Sequence, residues 1–113
     1  MTTEEIVQLV IDLSDGYVSY PFNKNLTQDK VIWHVIKHHH NDKVYGAVFE
    51  KDGHVHLNVK LTVEHGQELR QLNGVMAGYH MNKTHWNTIL INQTDLTLRE
   101  IEGVIKESAL LTK

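Results

Sequence analysis

Apolar positions along the chain recur at two spacings, and the switches between them divide it into elements. Ile6, Leu9, Val10 and Leu13 fall at helical spacing. Thr2 or Thr3 caps that run, Glu5 stands three residues after Thr2 as in a capping box, and Ser14-Asp15-Gly16 stops it. Tyr17 to Phe22 contains the only proline, Pro21, which removes a backbone donor and holds Tyr20 extended, so a rigid bend is expected there. Asn23 to Lys30 is polar and reads as a loop.

From residue 31 the pattern becomes that of strands. Val31 to Ile36 is β-branched and aromatic, His38 to Asp42 is a polar connection, and Val44 to Glu50 is a second strand. Lys51-Asp52-Gly53 suits a tight hairpin turn, because Asp-Gly tolerates positive φ. The third strand alternates, with Val55, Leu57, Val59 and Leu61 on one face and His54, His56, Asn58 and Lys60 on the other. Period two predicts one buried face and one wet face.

Thr62 caps a short helix that ends near Leu72, before Asn73-Gly74, although Gly66 weakens it internally. Val75 to Met81 and Trp86 to Ile91 are two more strands around a polar turn at Asn82-Lys83-Thr84. Thr97-Leu98-Arg99-Glu100 is a second capping box. It opens a last helix with Leu98, Ile101, Ile105 and Ser108 on one stripe and Val104 and Leu111 beside it. The predicted order is α-β-β-β-α-β-β-α. Both long helices are amphipathic, so the expected fold is α+β, in two layers, with the helices packed on one face of an antiparallel sheet and the other face free.

Composition narrows the function classes. At 113 residues the chain fits one domain, 1–113, and it has no internal repeat, low-complexity tract or dividing linker. It has no cysteine, which excludes disulfides, thiolate metal sites and cysteine nucleophiles and suits a reducing compartment. The acidic start lacks the basic stretch and apolar core of a signal peptide, and no apolar run is long enough to span a membrane. The expected location is cytoplasmic. Net charge is −3, but residues 1–16 hold Glu4, Glu5, Asp12 and Asp15 with no base, while 17–91 hold all 9 histidines and a slight excess of bases. Such asymmetry is a mark of a binding face.

The stretch from Gly74 to Ile89, with Tyr79-His80-Met81-Asn82-Lys83-Thr84-His85-Trp86 at its centre, resembles the signature of the MmcQ/YjbR family. Tyr20-Pro21-Phe22 after the first helix, the strand region Lys43 to Lys60, and Ser108 near the end of the closing helix extend the match over nearly the whole chain. The resemblance implies a CyaY-like (frataxin-like) fold and a DNA-binding role through a "double wing" of β-structure. It does not carry over the acidic iron-handling ridge of frataxins. The first helix and its stop together have only four acids, and Trp33 and His34 stand in the strand that follows. His38-His39-His40 lies outside the family pattern.

His80, Asn82, Lys83 and His85 supply donors to phosphate or another anion, with Lys60 and Arg70, while Tyr79 and Trp86 offer flat surfaces for stacking. The same segment also suits a framework role, in which Trp86 fills the core and His80 and Asn82 tie down a turn. Burial is the stronger expectation for Trp86. Lys83 and His85 are evenly balanced between the two roles. His54 and His56 share a strand face that can ligate metal with His34, but no carboxylate or cysteine completes the set, so no metal site and no cofactor is assigned. Ser14, Ser19 and Ser108 have no nucleophile elbow or glycine-rich loop around them, and no catalytic residue is assigned. The expected partner is DNA, held weakly through phosphates. The alternatives are a protein or small anion on the same face and, less favoured, metal handling of the frataxin kind.

Overall fold

The computed structural model describes residues 1–20 and 31–113. In chain order it comprises α1 (Thr3–Leu13), β1 (Gly16–Ser19), β2 (His34–His38), β3 (Val44–Lys51), β4 (His54–Lys60), α2 (Val63–Leu69), β5 (Val75–Ala77), β6 (Trp86–Leu90) and α3 (Leu98–Leu111). The strands form one open antiparallel sheet in the order β1-β2-β3-β4-β6-β5. Among the described residues no helix is long and apolar enough to cross a membrane.

Local chemistry sets the element ends as expected. Thr2 Oγ1 accepts from Glu5 N at 3.1 Å while Glu5 Oε1 accepts from Thr2 N at 2.9 Å. Thr97 and Glu100 repeat the same reciprocal pair at the start of α3. Each pair satisfies two of the donors a helix start leaves open. Asp52 and Gly53 take φ of 54° and 78°, the left-handed pair that a tight hairpin turn needs.

Helices α1 and α3 cover one face. Ile6 and Val10 from α1 and Ile101, Val104 and Ile105 from α3 join Ile36, Val48, Leu57, Val59 and Ile89 in the main core. Gly46 makes the close approach of α1 possible, since a Cβ there would lie 2.9 Å from Val10 Cγ1. Beneath α3, the β3–β4 register ends at Ala47↔Asn58. Ser108 fills the gap that opens beyond it: its hydroxyl donates to Tyr45 O at 2.6 Å and accepts from Lys60 N at 2.8 Å. Tyr45 OH donates to Val10 O at 2.6 Å, and burial, reinforced by Asp15 and Asp12, pushes this phenol up to about 12.

Several expectations are corrected. Gly16–Ser19 is an edge strand paired with β2, so the order gains a strand and becomes α-β-β-β-β-α-β-β-α. A four-residue strand is too short for periodicity to reveal. Pro21, Phe22 and the expected loop 23–30 lie outside the described residues. His38 is no part of a polar connection. It ends β2, is 2% exposed, stacks on Tyr45 at 4.4 Å and donates from Nε2 to Thr112 Oγ1 at 2.8 Å. Thr112 Oγ1 in turn donates to Ser108 O, which makes it the acceptor in that bond. β5 stops at Ala77, four residues short of Met81. Gly66 belongs in α2 because Asn87 presses on it: an added Cβ would sit 3.0 Å from the Asn87 carboxamide. Leu98 and Leu111, in the first and last turns of α3, are exposed, so the buried stripe runs from Ile101 to Ala109.

The largest correction concerns the second face of the sheet, which is not free. Val31, Trp33, Val35, Ala47 and Phe49 form a separate cluster there, with Val44 and Tyr79 packed against it. Asn58, expected to be wet, is fully buried. The segment after β5 crosses this face and covers its centre with Tyr79.

Candidate functional site

The crossing begins at Gly78, which is pressed against Trp86: a Cβ on Gly78 would meet Trp86 Cβ and O at 2.8 Å. Tyr79 then lies over the sheet, and two buried side chains hold its main chain. Tyr79 N donates to Thr88 Oγ1 at 2.8 Å, Thr88 Oγ1 donates to Asn58 Oδ1 at 2.5 Å, and Asn58 Nδ2 donates to Tyr79 O at 3.0 Å. The cycle is closed. Asn58 and Thr88 face each other across β4 and β6, and together they serve Tyr79 as a neighbouring strand would.

Held in this way, the Tyr79 ring rests on Trp33, nearly parallel at 8° and 6.0 Å between centroids, and on Phe49 at 5.5 Å. Trp33 and Phe49 touch at 4.2 Å. His56 stacks on Phe49 at 4.8 Å and donates from Nδ1 to His54 O at 2.7 Å, and burial holds its imidazole below the ordinary range. His80 is exposed, takes a left-handed φ of 58°, and packs its imidazole on Tyr79 at 4.0 Å. Lys51 Nζ, ion-paired with Asp52 at 3.1 Å, lies 5.4 Å from the Tyr79 ring centre.

The second half of the crossing segment is a turn fastened by Arg70. Its guanidinium donates to Asn87 Oδ1 at 2.6 Å, to Lys83 O at 2.6 Å and to Trp86 O at 3.2 Å. Asn82 Oδ1 accepts from Thr84 N at 2.8 Å, and Asn82 O accepts from Trp86 N at 3.0 Å. Lys83 Nζ donates to Gly78 O at 3.0 Å, which closes the turn from outside. His85 O accepts from Leu61 N at 2.8 Å and so docks the turn beside the end of β4. Lys60 and Trp86 are cross-strand partners there.

The structure thus gathers Lys60, Lys83, His85 and Trp86 at one end of the sheet, with Arg70 reaching the turn from the helix side through Asn87, and places Tyr79 and His80 over the centre of the second face. Asn82 and Arg70 hold the turn's shape. Trp86 is half-buried and stands outside both apolar clusters. His34 pairs with Val48, which puts it on the helix-covered side near Tyr20 OH at 3.1 Å, apart from His54 and His56. His54 Nδ1 is 2.7 Å from Gln93 Nε2. Among the described residues no three His, Asp or Glu side chains converge on a metal-sized site.

Trp33 and Phe49 are the members that sequence reasoning missed; Asn58 was placed on the correct face but expected to be wet. The signal was present in β3, where Tyr45 to Phe49 is an unbroken apolar run, as expected of a strand buried on both faces.

Charge divides by layer. Glu4, Glu5 and Asp12 on α1, Glu64 and Glu68 on α2, and Glu100, Glu102 and Glu107 on α3 make the helix layer acidic, against Arg99 and Lys106. The strand lysines fall on the other side. Lys37 is in register with Val44, Lys51 shares the alternation of Phe49, and Lys60 that of Asn58. Glu50, the one strand carboxylate among the described residues, pairs with Val55 of the main core and so faces the helices.

A two-layer α+β protein with an open antiparallel sheet and one aromatic-capped face is the class this arrangement defines. Comparison with known proteins narrows it: the family model YjbR matches residues 17–109, and the chain belongs to that family. An uncharacterized Bacillus subtilis (strain 168) protein, YyaQ, is 32% identical over 123 aligned positions, covering 100% of this chain and 99% of its own. A Pseudomonas syringae protein of known crystal structure superposes with a TM-score of 0.84 at 27% identity, with 100% of both chains covered. The Deinococcus radiodurans protein DR2400, with family-model domain DUF419, shares the fold at TM-score 0.72 and 23% identity over 97% of this chain and 77% of its own.

Proposed function

We propose that the protein is a non-enzymatic nucleic-acid-binding domain of the cytoplasm that contacts DNA phosphates with the lysine-bearing face of its sheet and the turn at its rim. The observation that carries this reading is the division of charge between layers. A net charge of −3 argues against a basic protein, but most of the acids lie in the helix layer, and the strand lysines lie on the opposite face, where Lys51 is paired with Asp52 of the adjoining turn. A phosphate chain approaching that face meets Lys37, Lys51 and Lys60 before any strand carboxylate. His80, Lys83 and His85 extend the surface along the crossing segment, with Arg70 and Asn82 shaping it. The resemblance of the Tyr79–Trp86 segment to the signature of the MmcQ/YjbR family, for which a DNA-binding double wing is the expectation, points the same way.

With few phosphates engaged, affinity is expected at about 10⁻⁴–10⁻⁶ M and falling with salt. The test is fluorescence anisotropy of labelled DNA across a salt series. Lys60→Ala is expected to weaken binding to all sequences alike and to lower the log–log salt slope by about one. Lys83→Ala should act in the same direction, together with loss of its bond to Gly78 O. Unchanged affinity in both variants would refute the surface, and stabilisation by a small anion without DNA binding would favour an anion-binding adaptor instead.

A further inference from the structure

The second face carries two accessible aromatic surfaces as well as cations, and each ring has a lysine at its side. Tyr79, half-buried, has Lys51 Nζ 5.4 Å from its ring centre, and half-buried Trp86 has Lys60 as its cross-strand partner. From these pairs we infer that the ligand of this face is a single-stranded nucleic acid, its bases stacking on Tyr79 with His80 and on Trp86, and its phosphates held by the neighbouring lysines. The inference rests on the phosphate-binding reading above and adds the ligand's strandedness.

Three features favour a single strand over a duplex. Bases within a duplex present their edges and keep their π-faces stacked on one another, so rings lying on a sheet find no partner there. A single strand exposes those faces. The Tyr79 ring is also preorganised: it is seated on buried Phe49 and Trp33, and its main chain is locked by Asn58 and Thr88. Little ordering is left to binding. Finally, the two ring–lysine pairs are separated along β4 by the distance from His56, beneath the Phe49 stack, to Lys60, opposite Trp86. Four strand residues span about 13 Å, room for several nucleotides at roughly 3.4 Å per stacked base. His80 completes the inner surface. Its exposed imidazole lies on Tyr79 at 4.0 Å, set there by a left-handed backbone that non-glycine residues seldom adopt.

The deciding experiment compares three labelled probes by anisotropy at low salt: a mixed-sequence single strand, an abasic strand of the same length, and the corresponding duplex. The expected result is binding of the normal strand at least tenfold tighter than of the abasic strand or the duplex. Trp86→Leu should remove most of that margin while leaving abasic binding unchanged, and Trp86→Tyr should restore part of it. Circular dichroism melts of both variants confirm folding. Equal affinity for normal and abasic strands, with salt dependence intact, would overturn stacking and leave the phosphate surface standing. A preference for duplex would do the same. Failure of all three probes to bind would overturn the phosphate reading along with it.

Discussion

Asn58 donates its carboxamide to the carbonyl of Tyr79 at 3.0 Å, and through Thr88 the same side chain also completes the bonding of the Tyr79 amide. Two strand side chains, Asn58 for the carbonyl and Thr88 for the amide, therefore satisfy both main-chain polar groups of a residue that has no strand neighbour. That cycle decides where the crossing segment lies and keeps the Tyr79 ring on Trp33 and Phe49. Both Asn58 and Thr88 are fully buried, so water offers no substitute partner.

Asn58→Ala is accordingly expected to destabilise the fold by about 1–3 kcal/mol, the usual cost of leaving buried polar partners unmet. Asn58→Asp should cost more, because a carboxylate cannot donate to Tyr79 O and would be a buried charge. Urea unfolding measures both. Near-native stability in Asn58→Ala would mean that the Tyr79 carbonyl finds another donor.

Ser108 plays a comparable part on the helix side. Its hydroxyl joins Tyr45 O to Lys60 N where the two strands have parted. Ser108→Ala should lower stability by about 1–3 kcal/mol despite removing a single oxygen, and Ser108→Thr should recover part of it. Amide exchange at Lys60 in the alanine variant is expected to quicken beyond the global change. If it tracks global stability alone, the bridge is not what protects that amide.

His38 makes stability pH-dependent. Burial, and secondarily His40 nearby, holds its imidazole below the ordinary value of 6.5, although hydrogen bonding to the main chain of Ala109 opposes this. Between the depressed folded value and 6.5 the unfolded chain binds more protons than the folded one, so stability falls as pH drops through this window. His38→Gln should flatten the fall by removing one such group. His34 and His56, depressed chiefly by burial as well, leave a residual slope. Chemical denaturation from pH 8 to pH 5, a window of about the usual histidine range, gives the comparison. Parallel curves for the two proteins would exclude His38 as a contributor.

Arg70 fastens the 82–86 turn with a planar fork that lysine lacks. Arg70→Lys is expected to retain charge and lose shape: global stability should drop by about 1–3 kcal/mol, and exchange at the Trp86 amide, bonded to Asn82 O, should rise roughly tenfold or more. DNA affinity should fall even though the charge is kept. An Arg70→Lys protein with native exchange at Trp86 would show the turn to be self-supporting.

Helices were the most legible part of the sequence because their signals are local. Thr2–Glu5 and Thr97–Glu100 form capping boxes from residues three apart, and Asp52-Gly53 makes its turn from residues side by side. The alternation of β4 was legible too, yet it misled at Asn58. Period two reports which residues share a face and is silent on what covers that face. An asparagine looks the same in sequence whether it meets water or the buried backbone of Tyr79, which lies 21 residues away.

The sequence by itself determined the two-layer α+β plan, the antiparallel sheet, the faces of α1 and α3, and the segment from Tyr79 to Trp86 that marks the family. These follow from periodicity and from contacts within a few residues. Tertiary structure alone decided that β1 pairs with β2, that His38 is buried against Thr112, that Lys83 and Arg70 brace a turn, and that the second face is capped by aromatic rings with lysines around them. Most of those outcomes depend on hydrogen bonds and ring contacts between residues more than ten positions apart, and the Lys83 bond to Gly78 forms only once the turn is folded. The chain's order does not specify such pairings until the sheet has brought the partners together.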